Sequence, residues 1–203
     1  IRRAFATQIG RLRAGHSGQF VGIPTLIGEF GIPFDLQGGR SYRTGDFSRQ
    51  VRALDRTFQA LDANLLGGTL WNYTPDNTNQ RGDQWNGEDL SIFSRDQQSD
   101  PQDLNSGGRA LPAVVRPYPR KVAGEPLRMS FDQKRRIFHF SFCHDPAVEA
   151  PTEIVVPDLQ YPVGYDLEVS DGEYQANQAE QMLYYRHSLA RDVHTLRIRP
   201  AGA

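Results

Sequence analysis

The sequence predicts an α/β unit followed by an all-β unit, and two observations carry this prediction. In the first half of the chain, helical and strand patterns alternate, as in folds that join parallel strands by crossover helices. Beyond about residue 120, short strand patterns are separated by Pro, Gly and Asp turns, which is typical of a small antiparallel β-sandwich. We therefore expect one domain at residues 1–119 and a second at residues 120–203.

The composition permits a folded core and argues against two classes of partner. The 203-residue chain is 38% hydrophobic and has a formal net charge of −1, with both signs scattered along it. Such a chain offers no basic surface for nucleic acid. No apolar run approaches the ~20 residues that an integral membrane segment needs. The lone cysteine, Cys143, excludes an intrachain disulfide.

The chain begins inside a helical pattern. Ile1, Phe5, Ile9 and Leu12 recur at helical spacing, and no capping residue precedes them. We therefore expect further sequence upstream of Ile1, where any signal peptide would lie. For this reason the localisation, cytoplasmic or secreted, stays undetermined.

Strands and helices are predicted as follows in the first domain. The apolar run at residues 23–30 indicates a strand buried on both faces of a parallel sheet. Residues 48–64 form a helix, because their apolar side chains fall on one side. Gly67 and Gly68 interrupt the chain, and residues 69–73 form another short buried strand. A short helix within residues 109–121 ends at Pro117 and Pro119.

The second domain is predicted from alternation. Phe138, Phe140 and Phe142 alternate with polar residues inside a strand over 135–144. Further strands are expected at residues 152–156, 165–170, 181–185 and 194–199.

Glu29 is the strongest candidate for a catalytic residue. It stands at the C-terminal end of the first strand, between Gly28 and Gly31, and a carboxylate there is costly to bury unless it is used or paired. In (β/α)8 barrels the C-terminal ends of strands form the catalytic face, and nearby glycines let a ligand approach the backbone. Trp71, at the end of the next strand, has an indole face suited to a sugar ring. The alternatives are a salt-bridged structural Glu29 and a core Trp71.

The polar loop at residues 74–89 favours sugar binding or solvation over metal binding. Asp76, Asn77, Asn79 and Asp83 are all oxygen donors, but their spacing does not fit an EF-hand. No cofactor motif occurs in the chain. His139 and Cys143 share a strand face and are interpreted as structural. The five histidines show no metal-ligand spacing, so we predict no metal and no cofactor; they are His16, His139, His144, His187 and His194.

Four segments resemble glycoside hydrolase family five, in its endoglycoceramidase-related branch. Residues 23–34, IPTLIGEFGIPF, resemble the seventh barrel strand. Residues 70–77 and 82–91 resemble the eighth strand and its loop, and residues 116–119 resemble the junction with the C-terminal β-sandwich. This resemblance implies a fold of the class α/β plus all-β: the C-terminal portion of a (β/α)8 TIM barrel followed by a small antiparallel β-sandwich.

The resemblance also implies a retaining β-glycosidase with two catalytic glutamates. Glu29 corresponds to the nucleophile, and Trp71 to the tryptophan beneath the sugar next to the scissile bond. The expected substrate is a glycolipid or other β-glucoside, such as glucosylceramide, an oligosaccharyl ceramide or a steryl glucoside. The further substrate-binding candidates are Asn72, Asp76, Asn77 and Trp85.

The chain departs from the family at the acid/base residue. That glutamate belongs to an Asn-Glu-Pro sequence, which does not occur here, and Gly124-Glu125-Pro126 lies instead at the entry to the β-region. We therefore expect the acid/base among upstream barrel residues, and we expect this chain alone to be inactive. The alternatives are a non-catalytic module that binds carbohydrate or glycolipid, and a structural or interaction protein.

Overall fold

The computed structural model describes residues 2–14 and 25–202. The chain divides into two compact units, Ile1–Leu61 with Leu66–Val114, and Asp62–Leu65 with Val115–Ala203. Among the described residues, no helix is long and apolar enough to cross a membrane.

The first unit combines helices with a short parallel sheet. The helix predicted over 48–64 and the short helix before Pro117 are both confirmed, whereas a helix after the first strand was not predicted. The helices are α1 (Arg2–Ala14), α2 (Leu36–Thr44), α3 (Ser48–Asn64) and α4 (Leu111–Val114), and the strands are β1 (Leu26–Phe30) and β2 (Gly67–Leu70).

β1 and β2 pair in parallel, with Leu26 opposite Gly67 and Phe30 opposite Leu70. The prediction that both strands are buried is wrong for this chain, because Leu26 is 60% exposed and Gly67 is exposed too. The physical reason is that the described sheet has two strands. Helix α3 contacts β1 through Phe58, whose ring meets Phe30 edge to face with centroids 5.3 Å apart.

Gly68 lies inside β2 and does not interrupt the chain there. A Cβ atom at this position would lie 2.8 Å from Cε1 of Phe30 and 3.0 Å from Cδ1 of Leu61. The glycine therefore lets the Phe30 and Leu61 side chains pack directly on the strand.

A buried ion pair lies in the core of the first unit. Arg109 is fully buried, and its guanidinium donates to both carboxylate oxygens of Asp89, over 2.8 Å to Oδ2 and 2.5 Å to Oδ1. The Arg109 Nε donates to the Ser91 carbonyl over 3.1 Å. The guanidinium carbon lies 4.2 Å from the centroid of the Phe34 ring. This bidentate geometry offsets part of the cost of removing both charges from water.

Asp89 also receives donors from the segments that follow both strands. After β1, the Phe34 N–H donates to the Asp89 carbonyl over 2.7 Å, and the Tyr42 hydroxyl donates to its carboxylate. After β2, the Asn77 amide donates to the same carboxylate over 2.8 Å. Asp89 and Arg109 therefore join the two segments that leave the sheet at its C-terminal edge.

The second unit is an antiparallel β-sandwich of two four-stranded sheets. Its strands are β3 (Tyr118–Lys121), β4 (Gly124–Asp132), β5 (Ile137–His144), β6 (Thr152–Val155), β7 (Tyr165–Val169), β8 (Glu173–Asn177), β9 (Met182–Arg186) and β10 (Val193–Pro200). The sheet orders are β4-β5-β10-β7 and β3-β6-β9-β8.

Five predicted strands of the sandwich are confirmed as β5, β6, β7, β9 and β10. The alternation in β5 places Phe138, Phe140 and Phe142 in the core, each 2% exposed or less. The unpredicted strands β3 and β4 contain Pro119 and Pro126, and both lie at sheet edges, where a missing N–H is tolerated. β8 was not predicted because it is mostly exposed and has no apolar alternation.

Truncating Phe142 tests the sandwich core. Phe142 is fully buried, so Phe142→Ala lowers the free energy of unfolding by about 3–5 kcal/mol through lost burial and a cavity. Urea unfolding followed by circular dichroism measures the change. Leu189→Ala is the control, because Leu189 is 75% exposed and its truncation costs less than about 0.5 kcal/mol. Equal costs for both variants would contradict the assigned core.

Truncating Arg109 tests the buried ion pair. Arg109→Ala leaves the Asp89 carboxylate without its cation and lowers the free energy of unfolding of the first unit by about 3–5 kcal/mol. Tryptophan fluorescence reports this unit, because both tryptophans, Trp71 and Trp85, lie in it. The exposed Arg81 provides the control variant Arg81→Ala, which shifts stability by less than about 0.5 kcal/mol. A small loss for Arg109→Ala would show that the pair is dispensable.

The pair also makes the first unit sensitive to acid. Burial alone would raise the pKa of Asp89, but the hydrogen bonds from Arg109 and Tyr42 outweigh it and hold this pKa below the usual value of 3.8. A carboxylate with a lowered folded-state pKa contributes stability that is complete above the unfolded-state pKa and is lost as pH falls through the folded-state pKa. We expect the fluorescence-detected urea midpoint to decline between about pH 5 and pH 3. Asp89→Asn makes this decline shallower; an unchanged slope would contradict the assignment.

Candidate active site

Glu29 lies near the C-terminal end of β1. The next residue, Phe30, packs against Phe58 of α3, and the pairing of β1 with β2 shifts register between Ile27 and Phe30. Its side chain is exposed. Within the described part of the chain, Glu29 takes part in no ion pair. The interpretation of Glu29 as a salt-bridged structural residue therefore has no partner among these residues.

Trp71 follows β2 at the same edge. Its N–H donates to the Phe30 carbonyl over 2.8 Å, which sets the Trp71 backbone beside the residue after Glu29. Trp71 is half-buried, and its peptide bond to Asn72 is cis. Because parallel strands end at one edge, Glu29 and Trp71 share the part of the sheet where barrel enzymes place their chemistry.

The glycines beside Glu29 have different roles. A Cβ atom on Gly31 would lie 2.2 Å from the Trp71 carbonyl oxygen, so this glycine allows the two segments to approach each other. A Cβ atom on Gly28 would have no heavy atom of the described residues within 4 Å. Of the two glycines that the sequence associated with ligand approach, Gly28 is therefore the one with space beside it in this part of the chain.

Asp83 organises the loop that follows β2. It is buried, and its carboxylate accepts hydrogen bonds from the Asn72 amide and from the Trp85 N–H, each over 2.9 Å. The Asn72 backbone bonds to Leu90 over 3.2 Å and to Ile92 over 2.9 Å. These bonds fold the loop back onto the edge of the sheet and leave the Trp85 ring 58% exposed.

The predicted substrate-binding residues lie in different environments. Asp76 is exposed and accepts a hydrogen bond from Gln84 over 2.8 Å. Asn72 is half-buried, and its amide nitrogen is bonded to Asp83. Asn77 is fully buried, and its amide donates to Asp89. Asn77 therefore supports the loop from inside, while Asp76 and Trp85 present exposed side chains.

Tyr73 is a further exposed aromatic residue near this edge. It lies two positions after Trp71, is 62% exposed, and packs its ring against Phe93 with centroids 5.7 Å apart. Tyr73 is the last residue of the buried strand predicted over 69–73, but β2 ends at Leu70, which leaves Tyr73 outside the strand.

In the second unit, three histidines converge although their sequence spacing gave no sign of it. Within the described residues, His144, His187 and His194 offer ring nitrogens that all lie within 4.8 Å of one another. His144 and His194 lie on β5 and β10, which pair, and His187 follows β9. The sequence spacing of these three histidines had predicted no metal site, and their convergence was not predicted. His139 lies outside this group, and His16 lies outside the described residues.

Two residues of this region, His187 and Asp171, have lowered pKa values. Burial, with the neighbouring His194 and His144, lowers the pKa of His187. Burial would raise the pKa of Asp171, but hydrogen bonds from the Ser188 N–H and from His194 lower it to about 2.

A known protein-family model matches most of the second unit. Residues 116–198 match the family model described as the glycoside hydrolase family 5 C-terminal domain.

Sequence relatives extend the similarity to the first unit. A glucosylceramidase of Rhizopus delemar is 34% identical over 180 residues, which cover 82% of this chain and 26% of the relative. Endoglycoceramidase I of Rhodococcus hoagii is 32% identical over 151 residues, which cover 74% of this chain and 22% of the relative. The chain thus spans about a quarter of the length of these two relatives.

A solved structure matches the chain over almost its whole length. Sterylglucosidase 1 of Cryptococcus neoformans superposes with a TM-score of 0.89 at 29% identity, covering 99% of this chain and 32% of that protein. The predicted fold class is confirmed: the C-terminal portion of a (β/α)8 TIM barrel followed by a small antiparallel β-sandwich. The chain is therefore homologous to the C-terminal portion of the endoglycoceramidase-related branch of glycoside hydrolase family five, whose C-terminal domain it carries at residues 116–198.

Proposed function

We propose that this chain is the C-terminal part of a retaining β-glycosidase that cleaves a sugar from a lipid. The observation that carries the proposal is the shared strand edge, where the exposed Glu29 of β1 lies beside the segment of Trp71. The names of the relatives, glucosylceramidase, sterylglucosidase and endoglycoceramidase, point to glycosylated ceramides and sterols as substrates.

Glu29 is the nucleophile in this proposal. Its carboxylate attacks the anomeric carbon, the bond from that carbon to the aglycone oxygen breaks, and a covalent glycosyl-enzyme forms. A second glutamate donates a proton to the departing oxygen and then takes one from the water that hydrolyses the intermediate. The two carboxyl groups work at a separation of about 5–5.5 Å. This double displacement requires no cofactor.

The second glutamate is expected outside these 203 residues. The chain contains no Asn-Glu-Pro sequence, and Glu125, in Gly-Glu-Pro, pairs with Cys143 inside the antiparallel sandwich. Glu125 therefore does not lie at the end of a parallel barrel strand, where the acid/base residue would face Glu29. On this basis the 203 residues alone are expected to be inactive.

The loop after β2 forms the sugar-binding side of the proposed site. Trp71 provides an apolar surface for the face of a sugar ring, and the exposed Asp76 and Trp85 extend the surface along the loop. Asn72 and Asn77 support this loop through their hydrogen bonds to Asp83 and Asp89, respectively. The proposed substrate is glucosylceramide, an oligosaccharyl ceramide or a steryl glucoside.

A chimaeric enzyme tests the nucleophile. This chain replaces the matching 32% of the Cryptococcus neoformans sterylglucosidase, which supplies the remaining barrel strands. Glu29→Gln lowers kcat at least about a thousandfold, because the carboxylate that attacks the sugar is gone. KM changes little, because the amide fills the same space. Hydrolysis of a fluorogenic β-glucoside and of a steryl glucoside measures both.

Glu125→Gln is the matched control, since it makes the same change at a glutamate of the sandwich that also follows a glycine, and it retains full activity. Glu29→Ala with added azide separates catalysis from folding, because azide attacks in place of the carboxylate and yields a glycosyl azide of inverted configuration. Near-normal turnover of Glu29→Gln would refute the assignment. A folded chimaera that binds glycolipid without any turnover would favour a binding module.

A further inference from the structure

The three histidines of the sandwich lie close enough to share one ion. Nδ1 of His144 lies 3.0 Å from Nε2 of His194. The His187 ring lies 4.8 Å from the His144 ring and 4.6 Å from the His194 ring, between centroids. Nitrogens bound tetrahedrally to one zinc ion at about 2.0–2.1 Å lie about 3.3–3.4 Å apart. The His144–His194 pair is already close to this separation, and the other ring nitrogens, which lie within 4.8 Å of one another, must move closer by about 1.4 Å at most.

Asp171 holds the most buried of the three rings. Its Oδ2 lies 2.9 Å from Nδ1 of His194, which directs Nε2 of that ring toward His144. Asp171 is itself fixed by the Ser188 N–H over 2.8 Å and by the Tyr185 hydroxyl over 3.0 Å. A carboxylate that binds the second nitrogen of a ligand histidine recurs in zinc sites, where it sets the tautomer and strengthens the ligand.

The group of three histidines is buried on one side and accessible to solvent on the other. His194 is fully buried, and the Phe142 ring lies 5.2 Å from it, whereas His144 and His187 are half-buried. Three protein nitrogens with access to solvent leave a fourth position for water. Arg191 is the neighbouring cation; its Nε lies 3.7 Å from Asp171 Oδ2, and its side chain is 51% exposed, so it can move into solvent.

We propose that His144, His187 and His194 bind one divalent transition-metal ion of the zinc class, with Asp171 as a positioning residue. Imidazole nitrogens suit zinc, nickel and copper, whereas calcium and magnesium require oxygen ligands. The site lies in the sandwich unit and is independent of the glycosidase chemistry proposed for Glu29.

Binding of the ion changes the tautomer of His144. Because Asp171 accepts the Nδ1 proton of His194, the proton between the two rings belongs to Nδ1 of His144 in the metal-free chain. The ion takes that position, and the proton moves through solvent to Nε2 of the same ring. All three imidazoles stay neutral, as metal ligation requires.

Zinc titration of the whole chain tests the proposal. The metal-free protein is titrated with ZnCl2 by calorimetry and with CoCl2 by visible absorption. We expect one ion per chain with a dissociation constant at or below about 1 μM, and cobalt bands of a four-coordinate nitrogen site. Zinc also raises the temperature of unfolding, because it binds the folded chain. Absence of stoichiometric binding, or weak binding at millimolar zinc only, would overturn the proposal.

Variants identify the ligands. His187→Ala changes a residue outside the strands and weakens zinc binding by at least about a hundredfold, while Asp171→Asn weakens it by about 10- to 100-fold. His139→Ala is the control, because His139 is an exposed histidine of β5 outside the group; its zinc affinity is unchanged.

Circular dichroism checks that each variant is folded, and His187→Gln replaces the alanine variant if that one is not. Zinc raises the unfolding temperature of the unaltered chain and of His139→Ala, but not that of His187→Ala. Equal zinc affinity in His187→Ala and the unaltered chain would refute the assignment, as would loss of binding in His139→Ala.

Discussion

The buried ion pair of Asp89 and Arg109 is the interaction on which the edge of the first unit depends. Removing a carboxylate and a guanidinium from water is costly, and the cost is offset only when every oxygen and nitrogen finds a partner. Here those partners include Tyr42 from the chain after β1 and Asn77 from the loop after β2. The pair can therefore form fully only when both segments are in place, which couples the ends of the two strands.

The residues that support the proposed site differ in environment from the residues proposed to act in it. Asp83, Asp89 and Arg109 are buried and bonded on several sides, whereas Glu29 and Trp85 are exposed. A buried polar network restricts backbone movement, and an exposed carboxylate beside it keeps access to substrate. The sandwich shows the same division, because Asp171 accepts a hydrogen bond from the Ser188 N–H and is bonded to His194, the ring that it orients.

Periodic segments were predictable from the sequence because packing enforces their period. The helix over Ser48–Asn64 has a 3.6-residue apolar repeat, and the Phe138–Phe142 alternation has a period of two, so both elements were placed correctly. Glu29 was also correctly placed near a strand end. The edge strands β3 and β4 were not predicted because they contain prolines. An edge strand tolerates the missing N–H of a proline, whereas a central strand does not.

Contacts between distant segments could not be predicted from one sequence. The burial of Asn77 depends on Asp89 and Arg109, and the meeting of His144 with His194 depends on the register of β5 and β10. Nothing in the local sequence of Arg109 distinguishes it from an exposed arginine. The exposure of β1 likewise reflects how many strands lie beside it, which its own apolar pattern does not encode.

The most direct test of the proposed nucleophile is to trap the covalent intermediate in the chimaeric enzyme. A 2-deoxy-2-fluoro glucoside with a good leaving group forms the glycosyl-enzyme but hydrolyses slowly, so peptide mass spectrometry can locate the sugar. We predict one labelled peptide, with the sugar on Glu29. A label on any other carboxylate, or turnover without a trapped adduct, would contradict the assignment.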